Sequence, residues 1–256
     1  MTIEEVMHPC IHVDKDQRLS HAVELFEKNN IARLPVVDEG VLVGIITQRD
    51  VMEKIGHFKE DMKVSTFHIS ACMTKDPFIL HPSDPVEKAV DLFCLHTISG
   101  IPVVDGELVG IVTKLDVIET HSYAGKVSEY YTPTFISISA EERVVHTRML
   151  MLEHNERCFP VVDRELEGVI TTSDVVFGLY KFMKLIDRHQ SSLVRNLNVK
   201  DVMNRSPEIA SLSSDLEDVK TIMVRENLST LPVLDDEGAV AGLISKDEMI
   251  QVLQAL

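Results

Sequence analysis

The sequence has no tryptophan, few aromatic residues and no long apolar run. Aromatic residues make up 5% of the 256 positions, and the longest apolar runs fall far short of the ~20 residues that span a bilayer. The amino-terminal residues lack the basic and then apolar pattern of an export signal. The four cysteines are far apart, which favours reduced thiols over a disulfide framework. These absences predict a cytoplasmic protein that does not enter a membrane.

Basic residues are also scarce. The chain carries 25 Lys and Arg against 41 Asp and Glu, which gives a formal net charge of −16. Nucleic-acid binding depends on a basic surface that displaces counterions, so this balance argues against it. Phosphate-binding loops, dinucleotide fingerprints and nucleophile elbows are missing, and the histidines and cysteines lack the spacing of zinc ligands. We therefore predict neither an enzyme nor a metal protein.

What the chain does contain is a short phrase repeated four times. An apolar residue is followed by Pro, two aliphatic residues and Asp, at residues 34–38, 101–105, 159–163 and 231–235. A second phrase follows each copy: a glycine, two aliphatic residues, a hydroxyl and, three positions later, an acid, at residues 44–50, 110–116, 168–174 and 242–248. Internal repetition of this kind decides the architecture before any single residue is weighed.

Each copy predicts the same local structure. The apolar stripe of Leu19, Ala22 and Phe26 before the first copy is typical of an amphipathic helix. Two aliphatic runs flank a turn at residues 38–40, which indicates a β-hairpin. The hydroxyl that follows begins a second helix, and residues 10–13 predict a short opening strand. Each unit is therefore β-α-β-β-α, and the predicted fold class is α+β.

Units of about 60 residues are too small to bury a good core alone, which favours pairing. We predict repeats at residues 1–56, 66–122, 126–180 and 197–256. Paired in chain order, they form modules 1–122 and 126–256. The apolar pattern of the connection from residue 177 to residue 199 predicts a helix rather than a loose linker.

These phrases resemble the CBS domain, named after cystathionine β-synthase, over essentially the whole chain. The resemblance implies that two repeats pack as a Bateman module about a pseudo-twofold axis, leaving two clefts. Four repeats without a catalytic domain are similar to the γ subunit of AMP-activated protein kinase and to stand-alone microbial CBS proteins. Members of the family bind AMP, ADP or ATP, and some bind S-adenosylmethionine.

The resemblance also implies site residues at matching positions. A ribose-binding acid corresponds to Asp50, Asp116, Asp174 and Glu248. A phosphate-binding hydroxyl at a helix start corresponds to Thr47, Thr113, Thr171 and Ser245. The residues that contact adenine in the family correspond to Ile11, Ile79, Ile136 and Ile209, with Leu34, Ile101, Phe159 and Leu231 nearby. The basic residues that could bind the phosphate are Arg33 and Arg157, with Arg49, Lys114 and Lys246 as weaker candidates.

The Thr-x-x-Asp pattern is also that of a helix capping box, so both interpretations stay open. Repeats one and three combine the hydroxyl and the acid with an arginine. Repeat two has Ser99 and Gly100 instead, and repeat four replaces the acid with Glu248, whose extra methylene displaces the carboxylate. Repeat three opens with Tyr131 in place of the usual methionine. We therefore rank the sites one, three, two and four.

The predicted function is a non-catalytic sensor that binds an adenine nucleotide as a regulatory ligand and controls a protein partner. Two alternatives remain. The ligand could be of the S-adenosylmethionine type, or the clefts could be empty and the acidic surface could recognise a basic partner. Matched faces on two modules would also allow a twofold homodimer.

Overall fold

The computed structural model describes residues 1–55, 66–185 and 196–254, without the side chain of Leu185. Helices and small sheets alternate along the chain, which confirms the predicted α+β class. The helices are α1 Leu19–Asn29, α2 Gln48–Ile55, α3 Val86–Leu95, α4 Lys114–Glu119, α5 Val144–Glu153, α6 Thr172–Leu185, α7 Leu216–Arg225 and α8 Lys246–Gln254. The strands are β1 Val13–Asp14, β2 Arg33–Asp38, β3 Val41–Thr47, β4 Thr74–Lys75, β5 Gly100–Asp105, β6 Glu107–Thr113, β7 Cys158–Val162, β8 Leu166–Thr171, β9 Ala210–Ser211, β10 Thr230–Leu234 and β11 Val240–Ser245.

The first helix of each repeat buries the face that the sequence predicts. The side chains sixteen and nine positions before each motif proline are at most 2% exposed; they are Leu19, Val86, Val144 and Leu216, and Phe26, Phe93, Met151 and Met223. The side chains ten positions before the proline are only half-buried, because they lie at the edge of the apolar stripe. The predicted helix after residue 177 is confirmed as part of α6 up to Leu185, and residues 186–195 lie outside the described residues.

The two phrases form an antiparallel hairpin in every repeat, as predicted: β2 with β3, β5 with β6, β7 with β8, and β10 with β11. The first turn places Glu39 at a φ of 49° and Gly40 at a φ of 83°. The left-handed region suits glycine, and a two-residue turn with this twist matches the twist of its strands. The opening strand β1 is shorter than predicted and begins at Val13.

A leading segment precedes each repeat, at residues 1–10, 67–77, 126–136 and 197–206, and it pairs with the hairpin of a different repeat. His8 pairs with Ile111, Thr74 with Ile45, Thr132 with Leu243 and Asn204 with Val169. Repeats one and two thus exchange leading segments, and so do repeats three and four. The exchange explains the repeated glycine. A Cβ at Gly168 would lie 2.3 Å from the Asn204 carbonyl oxygen, and one at Gly242 would lie 2.3 Å from that of Thr132.

The chain divides into two compact units, and each unit contains residues from both predicted modules. Unit 1 comprises residues 1–10, 78–136 and 207–256, and unit 2 comprises residues 11–77 and 137–206. The modules 1–122 and 126–256 therefore do not coincide with these units. The physical reason is helix packing: α3 and α4 of repeat two pack on α8 of repeat four, and α2 of repeat one packs on α6 of repeat three. The pairing of repeats in chain order is kept in the exchange of leading segments.

A continuous apolar core fills unit 1, with Ile3, Phe93, Met223 and Met249 among its buried members. Tyr123 lies in the same core, and its buried hydroxyl has no hydrogen-bond partner among the described residues. Burial raises the pKa of this phenol well above its usual range, and the charge of Glu217 adds to the shift. The hydroxyl therefore costs stability where it stands.

Replacing Tyr123 with Phe is expected to raise the free energy of unfolding by about 1 kcal/mol, because it removes an unsatisfied polar atom without changing the ring. Denaturant unfolding measures this change. Tyr180→Phe is the matched control in unit 2, since its hydroxyl lies 3.2 Å from a Glu24 carboxylate oxygen, and it should lose about 0.5–1.5 kcal/mol. A clear loss of stability in Tyr123→Phe would show that its hydroxyl has a partner after all.

Candidate functional site

Each repeat brings its hydroxyl and its acid together where the second hairpin strand enters a helix. The backbone N–H and Oγ1 of Thr47 both donate to Oδ2 of Asp50, at 2.7 Å each. The same two bonds join Thr113 to Asp116, Thr171 to Asp174 and Ser245 to Glu248. The capping interpretation is therefore correct. It engages a single carboxylate oxygen in each repeat, so capping and ligand binding can coexist.

The second carboxylate oxygen is in the same state in repeats one and three. Among the described residues, no protein donor reaches Oδ1 of Asp50 or of Asp174. A carboxylate has about four acceptor positions, so each acid keeps capacity for further donors. The threonine bonds also hold the carboxylate in one orientation. Repeats one and three thus present an oriented acceptor.

These two acids are held in an unfavourable environment. Burial raises the pKa of Asp50 and of Asp174 above the ordinary value of an aspartate, although hydrogen bonds from Thr47 and Thr171 act in the opposite direction. A buried carboxylate with a perturbed pKa is a recognised mark of a functional site. A ligand that donated hydrogen bonds to the free oxygen would stabilise the ionised form.

Repeats two and four differ because leading segments reach their acids. Nε2 of His8 lies 3.5 Å from Oδ2 of Asp116. Burial raises the pKa of Asp116, but hydrogen bonds from His8 and Thr113 outweigh it, so the pKa lies below its ordinary value. In repeat four, Oγ1 of Thr132 donates to Oε1 of Glu248 at 2.8 Å.

Sequence reasoning missed both His8 and Thr132. The signal available was position alone: each residue stands immediately before the opening proline of its repeat, Pro9 or Pro133. Reaching another repeat's acid requires the exchange of leading segments, which no local pattern predicts.

The arginines predicted to bind phosphate lie in unit 2. Arg33 in β2 is directly across from Thr47 in β3. The Arg157 carbonyl accepts a hydrogen bond of 3.0 Å from the Thr172 backbone at the start of α6. Arg49 is the second residue of α2. Burial and the positive charge of Arg157 lower the pKa of Arg49. The Arg49 guanidinium also donates to the Leu152 carbonyl at 3.2 Å.

A basic group at the start of a helix in unit 1 forms an ion pair. Lys114, at the start of α4, is 3% exposed and forms an ion pair with Asp247 of repeat four. The pair at the same place in unit 2 is uncharged, because Ser173 Oγ donates to Gln48 Oε1 at 2.7 Å. The two units therefore differ in charge at this place.

The residues predicted to contact adenine fall into two groups. Ile11, Ile79 and Ile209 are 41%, 51% and 44% exposed, which is unusual for isoleucine and leaves apolar surface for a flat base, while Ile136 is half-buried. The residues before the motif proline are fully buried, so a base could meet only their backbone; they are Leu34, Ile101, Phe159 and Leu231.

The candidate residues of repeat one lie within unit 2, and those of repeats two and four lie within unit 1. Repeat three is divided, because Ile136 ends a segment of unit 1 while Arg157, Phe159, Thr171 and Asp174 belong to unit 2.

Two further features bear on the class of site. Across residues 1–55, 66–185 and 196–254, no group of three or more His, Cys, Asp and Glu side chains is arranged to hold a metal ion. In the same described ranges, no helix combines the length and apolar character needed to cross a bilayer.

Comparison with known proteins identifies the class. The CBS domain family matches residues 3–57, 68–122, 127–181 and 199–255, so this chain belongs to the CBS domain family as a protein of four such domains. It is 25% identical to the uncharacterized protein MJ1225 of Methanocaldococcus jannaschii over 90% of each chain.

Solved structures share the fold. The crystal structure of MJ1225 superposes with a TM-score of 0.88 at 20% identity and covers 99% of this chain and 100% of that one. MJ1225 is described as a proposed archaeal homologue of g-AMPK. A conserved uncharacterized protein from Pyrococcus horikoshii superposes with a TM-score of 0.65 at 23% identity, over 99% and 100% of the two chains.

Proposed function

We propose that this protein is a non-catalytic sensor that binds an adenine nucleotide at repeats one and three and thereby regulates a protein partner. The observation that carries the proposal is the state of Asp50 and Asp174. Each is oriented by a threonine, is held by burial at a raised pKa, and keeps one carboxylate oxygen without a described protein donor.

The three parts of a nucleotide have matching groups in unit 2. A ribose diol supplies two hydroxyl donors, which suit a carboxylate that is already oriented. Phosphate is suited to the arginines Arg33, Arg49 and Arg157 and to the N–H groups at the start of α2 and α6. The exposed Ile11 offers apolar surface to the base. The choice of adenine rests on the family resemblance, and the ribose and phosphate assignments rest on these residues.

Titration calorimetry with AMP, ADP, ATP and S-adenosylmethionine tests the proposal. We expect at least one phosphate-bearing nucleotide to bind more tightly than adenosine does. That advantage should weaken with added salt, because phosphate binding to arginine is partly electrostatic. If none of the five compounds releases heat or shifts the thermal midpoint of unfolding, the proposal is wrong.

Regulation requires that the nucleotide bind one conformation of the protein more tightly than another. Hydrogen exchange with and without the bound nucleotide measures this directly. Protection that changes only at the binding residues would argue against a regulatory role, whereas protection that changes at distant elements supports it.

The net charge of −16 favours a second candidate, a ligand-free module that recognises a basic partner. In that case no nucleotide would bind, and a complex captured by pull-down would dissociate as salt rises.

A further inference from the structure

Repeat four engages its acid in a way that repeats one and three do not. Oε2 of Glu248 accepts hydrogen bonds from the Ser245 backbone and hydroxyl, as the capping arrangement requires. Oε1 accepts a bond of 2.8 Å from the hydroxyl of Thr132. Both oxygens of this carboxylate therefore hold protein donors.

The backbone fixes Thr132 in this position. Its N–H donates to the Leu243 carbonyl at 2.8 Å, and its own carbonyl accepts from the Leu243 N–H at 3.0 Å. Gly242 allows this approach, since a Cβ there would lie 2.3 Å from the Thr132 carbonyl oxygen. The backbone of Thr132 is thus anchored to the hairpin, which keeps its hydroxyl beside the carboxylate.

The side-chain length of residue 248 completes the arrangement. The other repeats have Asp at this position, and the extra methylene of Glu248 extends its carboxylate toward the leading segment. Thr74 and Asn204 occupy the position of Thr132 in the leading segments of unit 2, and neither forms a described bond to Asp50 or Asp174. The combination of Thr and Glu distinguishes repeat four from the repeats of unit 2.

We propose that Thr132 is a specificity residue that closes the repeat-four site to ribose. Its hydroxyl takes the carboxylate oxygen that a ribose hydroxyl would engage, so an adenosyl ligand would have to displace it. The displaced hydroxyl would then lose a charge-assisted hydrogen bond that the ligand merely replaces. The inference rests on the proposed function, because it assumes that the acids of the other repeats bind ribose.

The number of AMP molecules bound per chain tests the proposal. Thr132→Val keeps the shape of the side chain and removes its hydroxyl, and we expect it to bind one more AMP than the unaltered chain. Thr132→Ser keeps the hydroxyl and should match the unaltered chain. Adding Glu248→Gln to Thr132→Val should remove the additional site, which would assign it to repeat four. Equilibrium dialysis with labelled AMP counts the sites, and Thr132→Ala serves as a second variant if valine disturbs the strand.

The outcomes separate this inference from the proposed function. Equal stoichiometry in Thr132→Val, Thr132→Ala and the unaltered chain overturns the role of Thr132 and leaves the sensor proposal standing. AMP at four sites in the unaltered chain also overturns it. If the unaltered chain binds no AMP, AMP is not the nucleotide that repeats one and three bind. In that case a site that appears only in the valine or alanine variant supports the inference, and its absence from both overturns the inference.

Discussion

Replacing Asp174 with Asn is expected to weaken nucleotide binding at repeat three by about ten- to a hundredfold. A hydrogen bond to a charged group contributes about 1.5–3 kcal/mol, and each 1.4 kcal/mol is tenfold in affinity. The amide keeps an oxygen that can accept the two bonds from Thr171, so the helix cap should survive. Asp50→Asn should do the same at repeat one, and the double variant should lose the bound nucleotide almost entirely. Calorimetry measures each step, and normal binding in the double variant would refute the site assignment.

The same substitution should affect stability in the opposite direction. Because burial raises the pKa of Asp174 in the folded chain above its ordinary value of 3.8, ionising this group costs stability. The cost is fully present at pH values above the raised pKa and disappears as pH falls below the ordinary value of 3.8, where the carboxyl becomes protonated in both folded and unfolded chains. We therefore expect Asp174→Asn to unfold at a higher temperature than the unaltered chain at pH 7, with the difference vanishing as pH falls below 3.8.

Asp116→Asn is the matched control, because the pKa of Asp116 lies below its ordinary value. Its ionised form contributes stability above 3.8 that is lost as pH falls through the lowered pKa. This variant should therefore be less stable than the unaltered chain at pH 7 and equal to it in strong acid. A loss of stability in Asp174→Asn as large as that in Asp116→Asn would show that burial does not dominate at repeat three.

The largest effect on stability is expected from Gly168→Ala. The added Cβ would lie 2.3 Å from the carbonyl oxygen of Asn204 and 3.1 Å from its carbonyl carbon, and neither backbone atom can swing away. Relief requires separating two strands that are joined by two hydrogen bonds of 2.9 Å between Val169 and Asn204. Overpacking together with weakened backbone bonds should cost about 3 kcal/mol. Denaturant unfolding measures the loss.

Gly40→Ala separates this steric effect from the general cost of replacing glycine. Gly40 has a φ of 83°, and a Cβ there would meet nothing within 4 Å. Its replacement should cost about 1 kcal/mol, the penalty of a left-handed conformation for an L residue. If Gly168→Ala cost no more than Gly40→Ala, the close approach of the leading segment to the hairpin would be disproved.

Sequence alone predicts the parts of this fold that depend on neighbouring residues. The buried face of α1, with Leu19 and Phe26, follows from helical spacing, and the hairpin of β2 and β3 follows from a turn between two aliphatic runs. Thr47 and Asp50, which are in contact, lie three positions apart in one capping box. Each of these features lies within a single repeat, and its recurrence in four repeats strengthened each prediction.

The features that sequence reasoning missed depend on residues far apart in the chain. Thr132 reaches Glu248 across 116 positions, and Lys114 reaches Asp247 across 133. Spacing within a repeat cannot indicate which other repeat supplies a leading segment or a packing helix. The helix contacts that join repeat one with three, and repeat two with four, are of this kind. They explain why the predicted modules did not match the compact units.

The exchange of leading segments has a consequence for synthesis. Unit 2 consists of residues 11–77 and 137–206, so all of its parts are synthesised before residues 207–256 of unit 1. Unit 1 needs both the first ten residues and α8, which packs on α3 and α4. Residues 1–10 pair with repeat two, as His8 does with Ile111, so they can dock before α8 is synthesised, whereas the faces of α3 and α4 that pack on α8 stay uncovered until then. In a nascent chain these are the faces for which a chaperone would compete.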